Sequence, residues 1–417
     1  MMNFDLIVVG AGAAGLMAAG QAARYGISVL MLDKNERVGR KIMITGKGRC
    51  NVTNSCDIDR LMTAVRRNPR FLYSAFDALS PQDVMDFFEE QGVPLKVERG
   101  QRVFPVSDKA VDIVDALHDF AIGSGAKFRR NRVMGITELP EGGFIVKTAD
   151  DSEFKAKTVL IATGGLSYPG TGSTGDGYKL AESFGHSIVT PLPSLVPIEI
   201  KEKWCADLMG LSLKNVTLTV LKGKKKIYSE LGELMFTHFG ISGPLVLSAS
   251  SYLDGPLDGF SLEIDMKPGL SHEQLDARVL RDFSAVQNKA IKNSLDRLLP
   301  RSIIPYVIAQ SEIDPDKAVN SVTREERRAL VETIKAFILS PKQLRPVAEA
   351  VVTRGGVKTS EINPKTMESK RVKGLYFAGE VMDLDGVTGG FNLQIAFSTG
   401  YVAGICAAEA VLYENTF

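Results

Sequence analysis

The chain has 417 residues, enough for two or three domains around a substantial core. Its net charge of +1 offers no global attraction to nucleic acid or an anionic membrane, and its 44% apolar and 24% charged residues are ordinary for a globular protein. The four cysteines (Cys50, Cys56, Cys205 and Cys406) are too few and too scattered for a disulfide scaffold or zinc module, and no cluster has metal-ligand spacing, so no metal is expected.

Residues 5–9 (DLIVV) predict a short buried strand. Asp5 precedes this run, no cation does, and glycines punctuate it, so it is not read as a signal peptide. GAGAAG (10–15) follows and opens a helix through about Arg24, and ISVLML (27–32) predicts a second buried strand closed by Asp33. This is a strand–helix–strand unit of the parallel-sheet kind. Gly10 permits the tight turn, Gly12 lets backbone approach a pyrophosphate, and Gly15 lets helix pack on strand. The helix N-terminus offers N–H groups and a positive dipole end to phosphates. Asp33 lies 18 residues beyond Gly15, the position of an acid that accepts hydrogen bonds from a ribose diol and repels a 2′-phosphate.

GRKIMITGKGRCNVTN (39–54) carries Arg40, Lys41, Lys47 and Arg49 and no acid, so bare backbone and unopposed positive charge point to an anion. The bland alternative is a solvated basic loop. Cys50 and Cys56 lie close in sequence, but five residues intervene where disulfide reductases have four, so Cys50 is read as a packing residue.

Further on, Ser80 and Pro81 start a helix over 80–92, and another is predicted over 108–124. Residues 128–162 predict an antiparallel meander ending in TVLIA (158–162). A second GxGxxG, GTGSTG (170–175), follows SYP and no strand, and is read as a loop with no dinucleotide fold of its own. Residues 196–266 alternate apolar and polar as a compact β domain, with turns such as KGKKK (222–226). From 271 to 339 the pattern is helical, with capping boxes at SHEQ (271–274) and TREE (323–326). Strand-and-glycine character returns near Val351, and a last helix runs from about Asn392 to Tyr413. No uninterrupted apolar run approaches the ~20 residues that span a bilayer.

LIATGG (160–165) and GLYFAGE (374–380) are strands that run into glycines, which favours FAD over NAD. With GRKIMITGKGRCNVTN, GGLSYPGTGSTGDGYKLAESFGH (164–186), FTHFGISGP (236–244) and GLYFAGEVMDLDGVTGGFNLQIAFSTG (374–400), the chain resembles the two-dinucleotide-binding-fold flavoproteins. More closely, it resembles the bacterial NAD(P)/FAD-dependent oxidoreductase family that includes bile-acid-pathway enone reductases and aminoacetone oxidase. The resemblance covers nearly the whole chain. It implies an α/β fold: a Rossmann-like FAD-binding domain (1–194 and 350–417) with an inserted β-barrel-like domain (195–270) and an inserted helical subdomain (271–349). It also implies FAD against Ala14, Asp33, Arg40, Lys41, Gly46, Gly48, Val133, Gly379, Glu380 and Leu393, with Asn392 beside it where the last helix starts. Phe391 stands where the family usually has Tyr, so a hydroxyl near the flavin is missing.

His238 and Ser242 are the candidate catalytic residues at the substrate, although a lone histidine in a β segment is more often structural. The expected function is an FAD-dependent oxidoreductase that reduces a conjugated carbonyl compound with NADH or NADPH. Oxidation of a small amine or aminoketone by oxygen is second. A nucleic-acid-associated flavoprotein is third, supported only by RRNPR (66–70), FRRNR (128–132) and KGKKK, and such runs are usually solvated faces. The expected partner is a small-molecule substrate, with neither nucleic acid nor membrane, in the cytoplasm. No second strand–GxGxxG–helix unit lies in 195–349, so a nicotinamide donor would share the substrate's cavity. Oligomeric state is not legible in the sequence.

Overall fold

Leu6 to Val9 have no polar face, so the strand they form must be covered on both sides. In the computed structural model, which describes residues 2–414, β1 (Met2–Val9) lies inside a seven-stranded sheet. α1 (Ala13–Arg24) follows, then β2 (Val29–Asp33), parallel to β1 with Leu6 opposite Val29. The helix Pro81–Glu90 starts as its sequence predicts, with Ser80 and Asp83 forming a reciprocal capping box. α2 (Ala110–Gly123) leads into β3 (Lys127–Arg130), which pairs in parallel with β2. Residues 128–130 were expected in the meander, but a strand that returns through a crossover helix lies parallel to its neighbour. The meander is β4 (Val133–Glu138), β5 (Phe144–Thr148) and β6 (Glu153–Ile161). β6 also runs parallel to β1, from Phe154 opposite Met2 to Ile161 opposite Val9. α3 (Asp176–Ser183) and β7 (Ile188–Ser194) end this first stretch.

The chain divides into two compact units, one made of Met1–Ser194 with Val347–Phe417 and the other of Leu195–Pro346. The second unit holds β8 (Ile198–Ile200), β9 (Ser212–Lys222), β10 (Lys225–Thr237), β11 (Gly240–Ser242), β12 (Phe260–Asp265), β13 (Phe337–Leu339) and β14 (Pro341–Leu344). They form one sheet in the order β13-β12-β9-β10-β11-β8-β14. Only Ser340 separates β13 from β14, so the sheet curls until its two edges lie beside each other, which gives it a barrel-like form. α4 (His272–Ser284) and α5 (Arg324–Lys335) both start with the capping boxes read from the sequence. Leu275, Val279, Leu330 and Ile334 of these helices share one core with Leu218, Phe236 and Phe337 of the sheet.

The chain then returns to the first unit. β15 (Val352–Val357) pairs antiparallel with β7, and β16 (Leu375–Phe377) pairs in parallel with β6. α6 (Phe391–Glu414) is the last element. By length and composition alone, Phe391–Tyr413 could cross a membrane, but 61% of its most apolar window is buried inside the protein. A count of unbroken apolar residues misses this helix because Gln394, Ser398 and Thr399 interrupt it. All three are buried, and their side chains bond within the unit, Gln394 and Ser398 to the Leu79 carbonyl and Thr399 to that of Ile395. α6 crosses α1 at close range: a Cβ at Gly400 would stand 2.4 Å from the Ala14 carbonyl oxygen, and one at Gly404 2.3 Å from that of Ala18.

Candidate functional site

The glycines after β1 are needed for two different reasons. At Gly10 (φ +106°) a Cβ would lie 2.5 Å from the Ala162 carbonyl oxygen, and at Gly15 one would lie 1.9 Å from that of Gly10. These glycines are demanded by the chain itself. Gly12 is not: its φ of −88° suits any residue, and nothing lies within 4 Å of its would-be Cβ. Gly12 is also the N-cap of α1, with no side chain capping the helix and no acid in its first turn. Open space therefore faces first-turn amides that no side chain satisfies, and a pyrophosphate fits both. Asp33 Oδ2 accepts the Ala11 N–H at 2.8 Å and Oδ1 that of Asn35 at 2.7 Å. Its carboxylate shapes the loop and keeps lone pairs for a ribose diol. These residues fit a dinucleotide cofactor.

The basic stretch is less bare than its sequence suggests. Arg40 donates to Asn35 Oδ1 at 3.0 Å, and Arg49 pairs with Glu98 and Asp108 while stacking 4.2 Å above the Phe104 ring. Lys41 Nζ donates to Glu380 Oε2 at 2.5 Å and to Ser167 Oγ at 2.6 Å. Gly46 and Gly48 form the tight turn after the short helix Arg40–Ile44.

Lys41 and Glu380, assigned separately from sequence, thus meet in one network. Ser167 Oγ donates to Glu380 Oε1 at 2.7 Å, and the Thr353 N–H donates to the same oxygen at 2.9 Å. Thr353 Oγ1 in turn accepts the N–H groups of Leu166 and Ser167 at 2.8 and 2.9 Å. Burial alone would raise the Glu380 carboxyl, but Lys41 and the surrounding donors outweigh it and hold the group below the usual carboxylate range. A fixed carboxylate therefore stands next to Gly379, whose would-be Cβ lies 3.0 Å from that of Ala14 at the start of α1. Sequence reasoning missed Ser167 and Thr353. Ser167 sits in the GGLSYP motif, whereas Thr353 carried no signal.

Asn392 accepts the Gly386 N–H at 2.9 Å and donates to the Gly386 carbonyl at 2.9 Å, so its amide shapes the turn before α6. Leu393 is half-buried beside it, Phe391 is buried, and Val133 is buried at the start of β4. Cys50 is fully buried, and burial pushes its thiol up to about 12. Cys56 is also buried, and both are free, so Cys50 sits as a small core residue. Among the described residues, no group of His, Cys, Asp and Glu could hold a metal ion.

The second glycine loop is tied down by side chains. Asn35 Nδ2 donates to the Thr171 carbonyl at 3.0 Å and would lie 2.4 Å from a Cβ at Gly172. Asp176, the first residue of α3, pairs with Lys34 and Arg132, each at 2.8 Å. A buried Ser–His–Glu array lies beyond α3: His186 Nε2 is 2.8 Å from Ser369 Oγ, and Nδ1 is 3.2 Å from Glu361 Oε2. It is laid out like a hydrolase triad. However, Ser369 is buried and its Oγ accepts the N–H groups of Arg371 and Val372, so the array is a clasp.

In the second unit, His238 is exposed in the turn between β10 and β11, with its ring edge-on to Phe239 at 4.9 Å. It lines a cavity of about 240 Å³ with Glu199, Glu202, Lys203 and Lys342. Arg345 bonds Glu199 at 2.8 Å and holds that carboxyl below its usual range. Among the described residues, no hydrogen bond orients the His238 ring. Ser242 is half-buried and ends β11, opposite Met235.

Comparison with known proteins agrees with this geometry. The model of the HI0933-like protein Rossmann domain matches residues 4–406. The chain is 35% identical over 406 residues to the ribosomal RNA dihydrouridine synthase of Haemophilus influenzae, covering 96% of this chain and 97% of that one. It is 32% identical to the protein of the same name from Escherichia coli, covering all of both chains. It is 30% identical to the 3-dehydro-bile acid delta(4,6)-reductase of Clostridium scindens, covering 96% of this chain and 98% of that one.

Proposed function

From the premise that this chain belongs to the HI0933-like Rossmann flavoprotein family and is an FAD-dependent oxidoreductase, we propose that it saturates a carbon–carbon double bond conjugated to a carbonyl, with NADH or NADPH as electron donor. One observation carries this reading. Dihydrouridine is uridine with its C5–C6 double bond saturated, and that bond is conjugated to the C4 carbonyl. The double bonds that name a delta(4,6)-reductase of a 3-dehydro bile acid are conjugated to its 3-keto group. Relatives at 35%, 32% and 30% identity thus share one bond type across two unlike substrates. The uracil base of ribosomal RNA is the first choice of substrate, since the two more similar relatives bear that name over nearly their whole length. A small polycyclic enone is the second. No observation favours the amine-oxidase alternative. Ribosomal RNA and a nicotinamide donor are both consistent with a cytoplasmic protein.

Bound FAD would supply the two-electron chemistry. The chain's own part is to bind and orient. The α1 start and Gly12 would receive the pyrophosphate, and Asp33 would take the adenosine ribose. Glu380, kept ionised by Lys41 and fixed by Ser167 and Thr353 beside Gly379, would accept from a hydroxyl of the cofactor's sugar-alcohol chain. The N-terminus of α6 would lie toward the flavin pyrimidine, where its dipole would favour negative charge by about 0.3–1 kcal/mol. His238 and Ser242 are the polar groups assigned to the substrate.

The test is anaerobic. NADH or NADPH should bleach the yellow protein, and in-vitro-transcribed ribosomal RNA should restore the colour with a gain of two hydrogens on a uridine. Restoration by a steroid enone and not by RNA would move the assignment to the second substrate. A bleached protein that only oxygen re-oxidises would overturn the reading.

A further inference from the structure

Three basic runs stand in this sequence, and the structure separates them. In RRNPR (66–70), Arg67 pairs at 3.0 Å with the fully buried Asp385. In FRRNR (128–132), Arg129 pairs with Asp150 at 2.9 Å and lies 5.1 Å from the Phe154 ring, while Arg132 pairs with Asp176 at 2.8 Å. These two runs are built into the first unit. KGKKK (222–226) differs. Lys222, Lys224, Lys225 and Lys226 are all exposed, and among the described residues none makes an ion pair or a side-chain hydrogen bond.

These four cations occupy the tip of the hairpin formed by β9 and β10, where Lys222 faces Lys225 and only Gly223 and Lys224 lie between the strands. The tip is braced. Lys222 pairs with Phe260 at the start of β12, its ammonium lies 5.1 Å from the Phe260 ring, and the Gly223 N–H donates to the Gly259 carbonyl at 2.9 Å. Four like charges are therefore held together on a braced corner with no ion pair among the described residues, in a chain whose net charge is only +1. Their mutual repulsion is relieved by a polyanion. Lysine is a point charge without the fork geometry that reads bases, so such a corner positions a phosphate backbone without selecting its sequence.

We propose that the Lys222–Lys226 hairpin tip is the anchor for the phosphate backbone of a ribosomal RNA substrate. This rests on the RNA reading given above. The anchor grips the strand and contributes nothing to bond reduction, so its loss raises KM and leaves kcat alone.

The experiment uses the FAD-loaded protein with Lys222, Lys224, Lys225 and Lys226 all changed to Gln and Gly223 kept. Anisotropy of in-vitro-transcribed ribosomal RNA is followed over a salt series. The variant should bind about tenfold or more weakly at low salt, and its log–log salt slope should fall by about 3, since each lost phosphate contact removes ~0.7–0.9. Bleaching by the nicotinamide donor should be unchanged, and the matching four-Arg variant should bind like the native protein. Equal affinity and slope in native and Gln proteins would overturn the anchor, as would loss of binding to anionic vesicles with RNA binding unaffected. RNA binding that depends on the hairpin without any dihydrouridine formation would sink the proposed function and leave the anchor standing. No RNA binding by the native protein at low salt would overturn both the anchor and ribosomal RNA as the substrate.

Discussion

GAGAAG (10–15) and GTGSTG (170–175) share one glycine spacing and lie in the same unit, yet their glycines answer to different neighbours. In the second loop, Gly172 and Gly175 are needed because the side chains of Asn35 and Leu166 would lie 2.4 and 2.8 Å from a Cβ. In the first, Gly10 and Gly15 are needed because backbone lies against them, and Gly12 has nothing against it at all. Three glycines in register therefore do not make a dinucleotide site. Each loop has one glycine that meets nothing, Gly12 and Gly170, and what distinguishes the first is its place at the uncapped start of a helix behind a buried strand.

The largest expected effect that could break this contrast is Gly15→Val. Its Cβ would lie 1.9 Å from a carbonyl oxygen in the first turn of the loop, and backbone cannot yield there, so folded yield should collapse. Soluble, cooperatively melting Gly15→Val protein would show the loop to be softer than described. Gly12→Val comes next and should behave in the opposite way. The cofactor-free protein should melt within about 0.5 kcal/mol of the native one, because the site is extended and open, while FAD binding and the yellow colour are lost. A yellow Gly12→Val protein would mean that the pyrophosphate lies elsewhere.

The second loop should respond more mildly. Gly172→Ala places a Cβ at φ +109° against the movable end of Asn35, so a loss of about 1–2 kcal/mol in denaturant titration is expected, with FAD retained. Loss of FAD from this variant would join the two loops into one site. Acid offers a finer probe. Burial would raise the Asp176 carboxyl, but Lys34 and Arg132 outweigh it and hold the group below the usual carboxylate range. Its native value is thus lower than its unfolded one, so its contribution is complete above about pH 4 and fades as the pH falls below that. Protection factors across 170–183, each exchange rate being referred to its intrinsic rate at the same pH, should fall on acidification in the native protein and be lower at neutral pH in Asp176→Asn, with the acid response weakened. An undiminished acid response in that variant would assign it to another group. The smallest effect belongs to Gly170→Ala, where the Cβ meets nothing within 4 Å, and melting and colour should both stay unchanged.

Local signals were strong where chemistry and fold coincide over a few residues. Leu6–Val9 and the glycines after them declare a parallel strand and a turn together, and Ser80, Ser271 and Thr323 declare helix starts by capping alone. What escaped is non-local. Glu380 and Lys41 read as two separate charges until the fold joins residues 339 apart, and Thr353 enters that network only through β15. β3 looked like part of a meander because its partner, β2, lies far back across α2. The clasp of His186 on Glu361 and Ser369 spans β7 and β15 and left no trace in spacing.

The closure of α6 on α1, with Gly400 against Ala14 and Gly404 against Ala18, also sets an order of events during synthesis. The two helices that meet here lie on either side of residues 195–346 in the chain, so one is made before the second unit and the other after it. Residues 195–346 are all translated before β16 and α6 exist, so the second unit can fold while α1 still lacks its helical partner and β6 lacks β16. Closure of the first unit therefore waits until the chain has passed through the second. A ribosome that stalls after Pro346 would carry one finished unit and one open apolar helix, a nascent species prone to aggregation until α6 is made.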